Sequence, residues 1–116
     1  MEIFNEIWKE TPKEQRVSFV SGIDLNDYEG TGYFHCLFAH VLPKKQYPEY
    51  KLDKKAIVFL TIQEHNLYDM MTEKDRQEYV SRMKEKGIDV DWDKLWRFRT
   101  ELLMKSRESD KTSHKA

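Results

Sequence analysis

An apolar and aromatic run over residues 33–42, broken at Pro43, constrains the fold of this chain most strongly. Proline fixes its own φ angle and has no backbone N–H to donate, so a strand formed by this run must end before it. A second apolar run, over residues 55–60, contains the β-branched residues that favour strands. A loop rich in lysine and tyrosine separates the two runs. The centre of the chain is therefore predicted to form two strands joined by a long basic loop.

Helical patterns and turns precede these strands. Residues 2–10 carry apolar side chains at helical spacing, which predicts an N-terminal helix. Thr11, Pro12 and Glu14 have the arrangement of an N-cap, a first-turn proline and a capping box, so a second helix is expected there. The segment 21–32 holds three of the four glycines and is expected to form turns.

The chain after the second strand is predicted to be helical. Thr61 and Glu64 form a capping box directly after that strand, and Thr72 and Asp75 repeat the arrangement more weakly. The predicted helices begin near residue 62, extend over 73–86 with Gly87 as the terminating residue, and cover 91–105.

Composition limits the kind of protein that this chain can be. It has 116 residues, 39% apolar and 35% charged, which suits one globular α+β domain over residues 1–105. Residues 106–116 are polar and are expected to form a flexible tail. A membrane span needs roughly 20 apolar residues in succession, and the sequence has no such run. A single cysteine cannot form an internal disulfide, so we expect a cytoplasmic protein without a membrane segment.

The loop between the predicted strands is locally basic although the net charge of the chain is −1. Only Glu49 and Asp53 offset its positive charges. Its lysines are Lys44, Lys45, Lys51, Lys54 and Lys55. Because an electric field depends on where the charges lie, such a patch can attract nucleic acid even on a slightly negative chain.

His65 and Asp69 are four residues apart in the helix predicted after the second strand. Residues at this spacing share one helix face, with Cβ atoms roughly 5–6 Å apart. An imidazole and a carboxylate placed in this way can hold one divalent ion. The other interpretation is an ordinary surface pair of a helix.

The order strand, loop, strand, helix resembles the HNH, or His-Me finger, nucleases. The residues that carry the resemblance are the histidine ending the first strand in "AHVLPK", the apolar strand "AIVFL" and the histidine of "QEH". The loop sequence "YPEYK" is similar to that of small HNH proteins from phages and mobile elements. The likeness covers about residues 33–70 and implies a ββα-metal core flanked by N-terminal and C-terminal helices.

The resemblance also implies roles for individual residues. His40 would be the general base that activates water against a DNA phosphodiester, because a neutral imidazole accepts a proton near pH 7. His65 and Asp69 would hold one divalent ion, either magnesium, manganese or zinc. The loop residues expected to contact the DNA backbone are Lys44, Lys45, Tyr47 and Lys51.

Two positions depart from the family pattern. The residue before the base is usually a metal-binding Asp or His, and here it is Ala39. The middle Asn, which in the family orients the base, falls at Ala56. We therefore expect a metal-dependent DNA endonuclease that is weakened or inactive, and we expect Ala56→Asn to raise its cleavage rate. The alternatives are an inactive nucleic-acid- or protein-binding adaptor on the same scaffold, and a structural protein whose ββα pattern arose by chance.

Overall fold

The computed structural model describes residues 2–43, 45–70 and 72–114, and the side chains among them except those of residues 70 and 106–114. Within these residues the chain is mixed α+β, with four α-helices, short 3₁₀ turns and a two-stranded antiparallel sheet. The elements are α1 (Glu2–Glu10), β1 (Phe38–His40), β2 (Ile57–Phe59), α2 (Ile62–Met70), α3 (Glu73–Glu85) and α4 (Trp92–His114).

The two strands form the centre of the fold, and each of their faces is covered by helices. The aligned pairs are Phe38 with Phe59, Ala39 with Val58, and His40 with Ile57. Side chains alternate between the two faces of a strand. Phe38 and Ile57 are buried with Phe4 and Trp8 of α1. On the other face, Ala39 and Val58 are buried in a cluster with Leu67 of α2, Tyr79 of α3 and Leu95 of α4.

The first strand is much shorter than its apolar run. Only Phe38–His40 is extended, and Phe34–Leu37 forms a 3₁₀ turn instead of the expected strand. Leu37 and Phe38 are adjacent in sequence, yet both are buried in the cluster around α1. Strand alternation would send them to opposite faces, so the turn is what brings both side chains into the same cluster.

The helix expected after Thr11 is also absent, since Lys13–Gln15 is a single 3₁₀ turn with no side-chain cap. The Thr11 hydroxyl donates instead to the carbonyl of Ile7, at 2.7 Å, and so closes α1. The Arg16 side chain donates to the carbonyls of Trp8 and Thr11, both at 3.1 Å. These contacts draw the chain back against α1 before a second helix can form.

The later helices follow their sequence signals closely. Thr72 and Asp75 form both bonds of the predicted capping box, and α3 ends just before Gly87, whose φ is +80°. α4 continues to His114, so the predicted tail is helical as far as that residue. The sequence has no glycine or proline after Trp92 that would end the helix earlier. Among the described helices, none combines the length and the apolar character needed to cross a membrane.

Candidate functional site

The start of α2 is fixed by the predicted capping box. The Thr61 hydroxyl accepts from the Glu64 N–H at 3.1 Å, and the Glu64 carboxylate accepts from the Thr61 N–H at 2.9 Å. His65 follows directly, in the first turn of the helix. Its backbone and side chain are therefore held at the end of α2 that joins β2.

The ring of His65 is oriented by a backbone carbonyl. His65 Nδ1 lies 2.7 Å from the carbonyl oxygen of Cys36, in the turn before β1. A carbonyl oxygen only accepts hydrogen bonds, so Nδ1 carries the proton. In the neutral imidazole, Nε2 then has the lone pair. The bond to Cys36 thus uses Nδ1 and leaves Nε2 as the nitrogen that can act as a ligand once an ion replaces its proton.

Asp69 meets this nitrogen one helical turn later. Its Oδ2 lies 3.0 Å from His65 Nε2, and the side chains are 51% and 23% exposed respectively. The pair is an ion pair when Nε2 is protonated, and it is a set of two ligands when a divalent ion takes the place of that proton. Metal-binding histidines usually donate their other N–H to a carbonyl or carboxylate, and the bond to Cys36 has this form. One imidazole nitrogen and one carboxylate oxygen suit zinc or manganese.

A third protein ligand is not present in the part of the chain that the structure describes, where no group of three His, Cys, Asp or Glu side chains could hold a metal. The residue before His40 is Ala39, which is buried in the same cluster as Leu67 and has no donor atom. An ion on His65 and Asp69 would therefore keep most of its coordination positions for water or substrate oxygens. We expect binding weaker than at a site with a full set of protein ligands.

His40 occupies the end of β1 on the side that faces α1, where its ring centre lies 6.0 Å from that of Phe4. Its Nε2 is 3.0 Å from the carbonyl oxygen of Lys51, so Nε2 is the donor and Nδ1 is the acceptor nitrogen of the neutral ring. The loop backbone thus orients His40 without help from a side chain at position 56. By strand alternation, His40 and the neighbouring Ala39 point to different sides of β1, and His40 lies on the side that carries Phe38 and α1.

Ala56 lies in the core rather than at a surface. Its side chain is 1% exposed, within the cluster that also contains Ala39. Its carbonyl accepts from the Val41 N–H and its own N–H donates to the Asp53 carbonyl. An amide at this position would be surrounded by apolar side chains, so we expect Ala56→Asn to cost stability, while the expected gain in cleavage rate stays a prediction.

We predict that Ala56→Asn lowers the free energy of unfolding by about 1–3 kcal/mol, because a buried amide without partners loses its hydrogen bonds to water. Urea unfolding followed by circular dichroism measures this change. Lys55→Asn is the matched control, since Lys55 is exposed and should tolerate the same side chain. A variant that is as stable as the parent and cleaves DNA faster would show that the amide reaches the loop and orients His40.

The basic loop is only partly available to a ligand. Lys45 and Lys51 are exposed, whereas Lys44 lies outside the described residues. Tyr47 is half-buried against the cluster on the α2 side of the sheet, so it holds the loop to the core as well as lining its surface. The Lys54 ammonium is paired with two carboxylates of α1, which are Glu6 at 3.2 Å and Glu10 at 2.7 Å. The hydrogen bonds that the Lys54 ammonium donates to these carboxylates, first to Glu10 and then to Glu6, raise the pKa of Lys54.

Sequence patterns did not indicate four of the contacts in and around this site. Cys36 and Lys51 act through backbone carbonyls, which leave no mark in the choice of side chain. The cap formed by Glu64 was predicted, but its bonds to Ser18 and Tyr79 join residues 46 and 15 positions away.

No protein-family model, curated protein or solved structure matches this chain.

Proposed function

We propose that this protein is a metal-dependent DNA endonuclease of the HNH type with low activity. The observation that carries the proposal is the His65–Asp69 pair, in which a backbone carbonyl fixes the tautomer and the two potential ligand atoms are 3.0 Å apart. Two further features support it: a histidine with an oriented ring at the end of β1, and exposed lysines in the loop that follows.

In this proposal His65 Nε2 and Asp69 Oδ2 hold the ion, and Cys36 keeps the His65 ring in place. A bound divalent ion would neutralise charge on the scissile phosphate and on the departing oxygen. His40 accepts the proton of the attacking water at Nδ1, while its Nε2–H remains bonded to the Lys51 carbonyl. Lys45 and Lys51 bind flanking phosphates without reading the base sequence. Low activity is expected because positioning contributes strongly to such reactions, and Ala39, the buried residue before His40, has no donor atom that could help to hold the ion.

A second candidate is an inactive DNA-binding adaptor that keeps the scaffold. The burial of Ala39 and Ala56 favours it, because both positions that carry polar side chains in the resembling family are filled here by methyl groups of the core. The two candidates differ in whether the protein cuts DNA when a metal is supplied. Nicking of supercoiled plasmid by the unaltered protein, with manganese and with a chelator, distinguishes them. The endonuclease nicks only with manganese, and the adaptor binds the plasmid but leaves it intact.

Both candidates predict that DNA binding depends on the exposed loop lysines. Each phosphate contact contributes about 0.9 to the slope of log affinity against log salt for duplex DNA. Lys45→Ala and Lys51→Ala should therefore each reduce the magnitude of this slope by about 0.9, as measured by fluorescence anisotropy of a labelled duplex. The Lys51 substitution leaves its carbonyl, and hence the bond to His40, in place.

Lys54→Ala is the matched control for these two variants. Because Glu6 and Glu10 already neutralise its ammonium, we expect a smaller change of slope from its removal. If Lys45→Ala and Lys51→Ala leave both affinity and slope unchanged, DNA does not bind along this loop.

A further inference from the structure

Glu64 is a carboxylate buried in the core next to the candidate metal site. Its side chain is 0% exposed. One oxygen, Oε1, accepts from the Ser18 hydroxyl at 2.5 Å and from the Thr61 N–H at 2.9 Å. The other, Oε2, accepts from the Tyr79 hydroxyl at 2.8 Å. The three donors belong to the segment before β1, to the start of α2 and to α3.

A buried carboxylate is tolerated only when its charge is well solvated by hydrogen bonds. Here three donors supply them, and bonds to an ionised acceptor are stronger than those between neutral groups. Burial, followed by the nearby charge of Glu64, raises the pKa of the Tyr79 hydroxyl, so this group remains a donor. The cluster of Glu64, Ser18, Thr61 and Tyr79 is therefore a satisfied polar network inside an apolar core.

This network helps to hold α2 in place. The helix has nine residues, and helices of this length are marginal without tertiary contacts. Among the described apolar side chains of α2, Leu67 is buried, and Ile62 and Tyr68 are half-buried. Glu64 is the buried polar anchor at its first turn, one residue before His65. A shift of this turn would move the His65 ring away from the Cys36 carbonyl that selects its tautomer.

We propose that Glu64 is a positioning residue for the metal site: its network fixes the first turn of α2 so that His65 Nε2 faces Asp69 in the ligand tautomer. The inference rests on the proposed function for its metal, and on the described hydrogen bonds for its geometry. Glu64 itself is enclosed by its three donors and takes no part in binding the ion.

The test compares manganese affinity by calorimetry in the parent, Glu64→Ala and Glu64→Gln, at a temperature where circular dichroism shows each to be folded. Losing a partner that orients a metal ligand typically costs about 10–100-fold in metal affinity, and we expect a loss in this range for Glu64→Ala. The amide oxygen of Gln can still accept from Ser18 and Thr61, so Glu64→Gln should recover most of the affinity. Leu25→Ala is the stability control, because Leu25 is fully buried in the other cluster, around α1.

A second measurement needs no metal. Long-range ¹⁵N–¹H spectra of the His65 ring should show a protonated Nδ1 in the parent and in Glu64→Gln, as the bond to Cys36 requires, and a fraction of rings with an unprotonated Nδ1 in Glu64→Ala. If the parent binds no manganese, the proposed function fails, and the spectra still decide whether Glu64 positions His65. If Glu64→Ala keeps the parent tautomer, or if Leu25→Ala weakens manganese binding equally, the inference is overturned.

Glu64→Ala risks unfolding because it leaves a cavity and unpaired donors. If Glu64→Ala does not fold, Tyr79→Phe is measured in its place. This change removes the hydroxyl that donates to Glu64 Oε2, and phenylalanine fills nearly the same volume as tyrosine. We expect Tyr79→Phe to change the manganese affinity and the spectra of the His65 ring in the same direction as Glu64→Ala, with a smaller loss of affinity. A folded Tyr79→Phe protein with parental affinity and parental tautomer would overturn the inference.

Discussion

Replacing His65 with alanine is expected to weaken manganese binding by at least about tenfold, since outer partners of metal ligands alone account for 10–100-fold in affinity. The variant loses one of the two ligand atoms and leaves only Asp69 Oδ2, in an exposed carboxylate. Isothermal titration calorimetry measures the change. His35→Ala is the matched control, because it removes an exposed histidine of the Phe34–Leu37 turn that is not part of the pair. Equal manganese affinity in His65→Ala and in the parent would show that the ion does not bind at this site.

The same titration distinguishes a metal site from a simple ion pair. If Nε2 is protonated in the metal-free protein, a divalent ion must displace that proton, and affinity falls as the pH is lowered. The measured heat should then vary with the ionisation enthalpy of the buffer. This proton release should disappear in His65→Ala and persist in His35→Ala.

Replacing His40 with alanine is expected to lower the rate of DNA cleavage by at least about 100-fold, since general base catalysis contributes 10²–10⁴-fold. The change removes the ring that the Lys51 carbonyl orients and leaves the loop lysines in place. DNA affinity should therefore stay close to that of the parent. The measurement is single-turnover cleavage of a labelled duplex with protein in excess, combined with anisotropy of the same duplex. A His40→Ala protein that cleaves at the parental rate would assign the base to another group.

Local signals in the sequence predicted the helices best. The capping boxes at Thr61–Glu64 and Thr72–Asp75 were predicted and both are present, because a capping box needs only residues within one turn. Thr11 has the same capping signal, but the helix predicted after it is not formed. Arg16 binds the carbonyls of Trp8 and Thr11 instead and turns the chain back. A tertiary contact of this kind overrides a local preference and is not visible in the pattern.

In the strands and the site, too, local spacing predicted some features, whereas others depend on tertiary packing. The i,i+4 spacing of His65 and Asp69 predicted their contact, and the 3.0 Å distance confirms that the two side chains meet. The length of β1 could not be predicted, because an apolar run of aromatic residues suits a buried turn as well as a strand. Which face of β1 holds His40 depends on where that turn ends. The burial of Ala56 likewise follows from packing between the sheet and the helices.

The most direct test of metal-dependent hydrolysis is single-turnover cleavage of a labelled duplex by the parent, His40→Ala and His65→Ala, each with manganese and with a chelator. We predict slow cleavage by the parent that requires manganese, with no detectable product from either variant over the same time. Cleavage that both variants retain, or a parent that binds the duplex but leaves it intact with magnesium, manganese and zinc, would contradict the proposal.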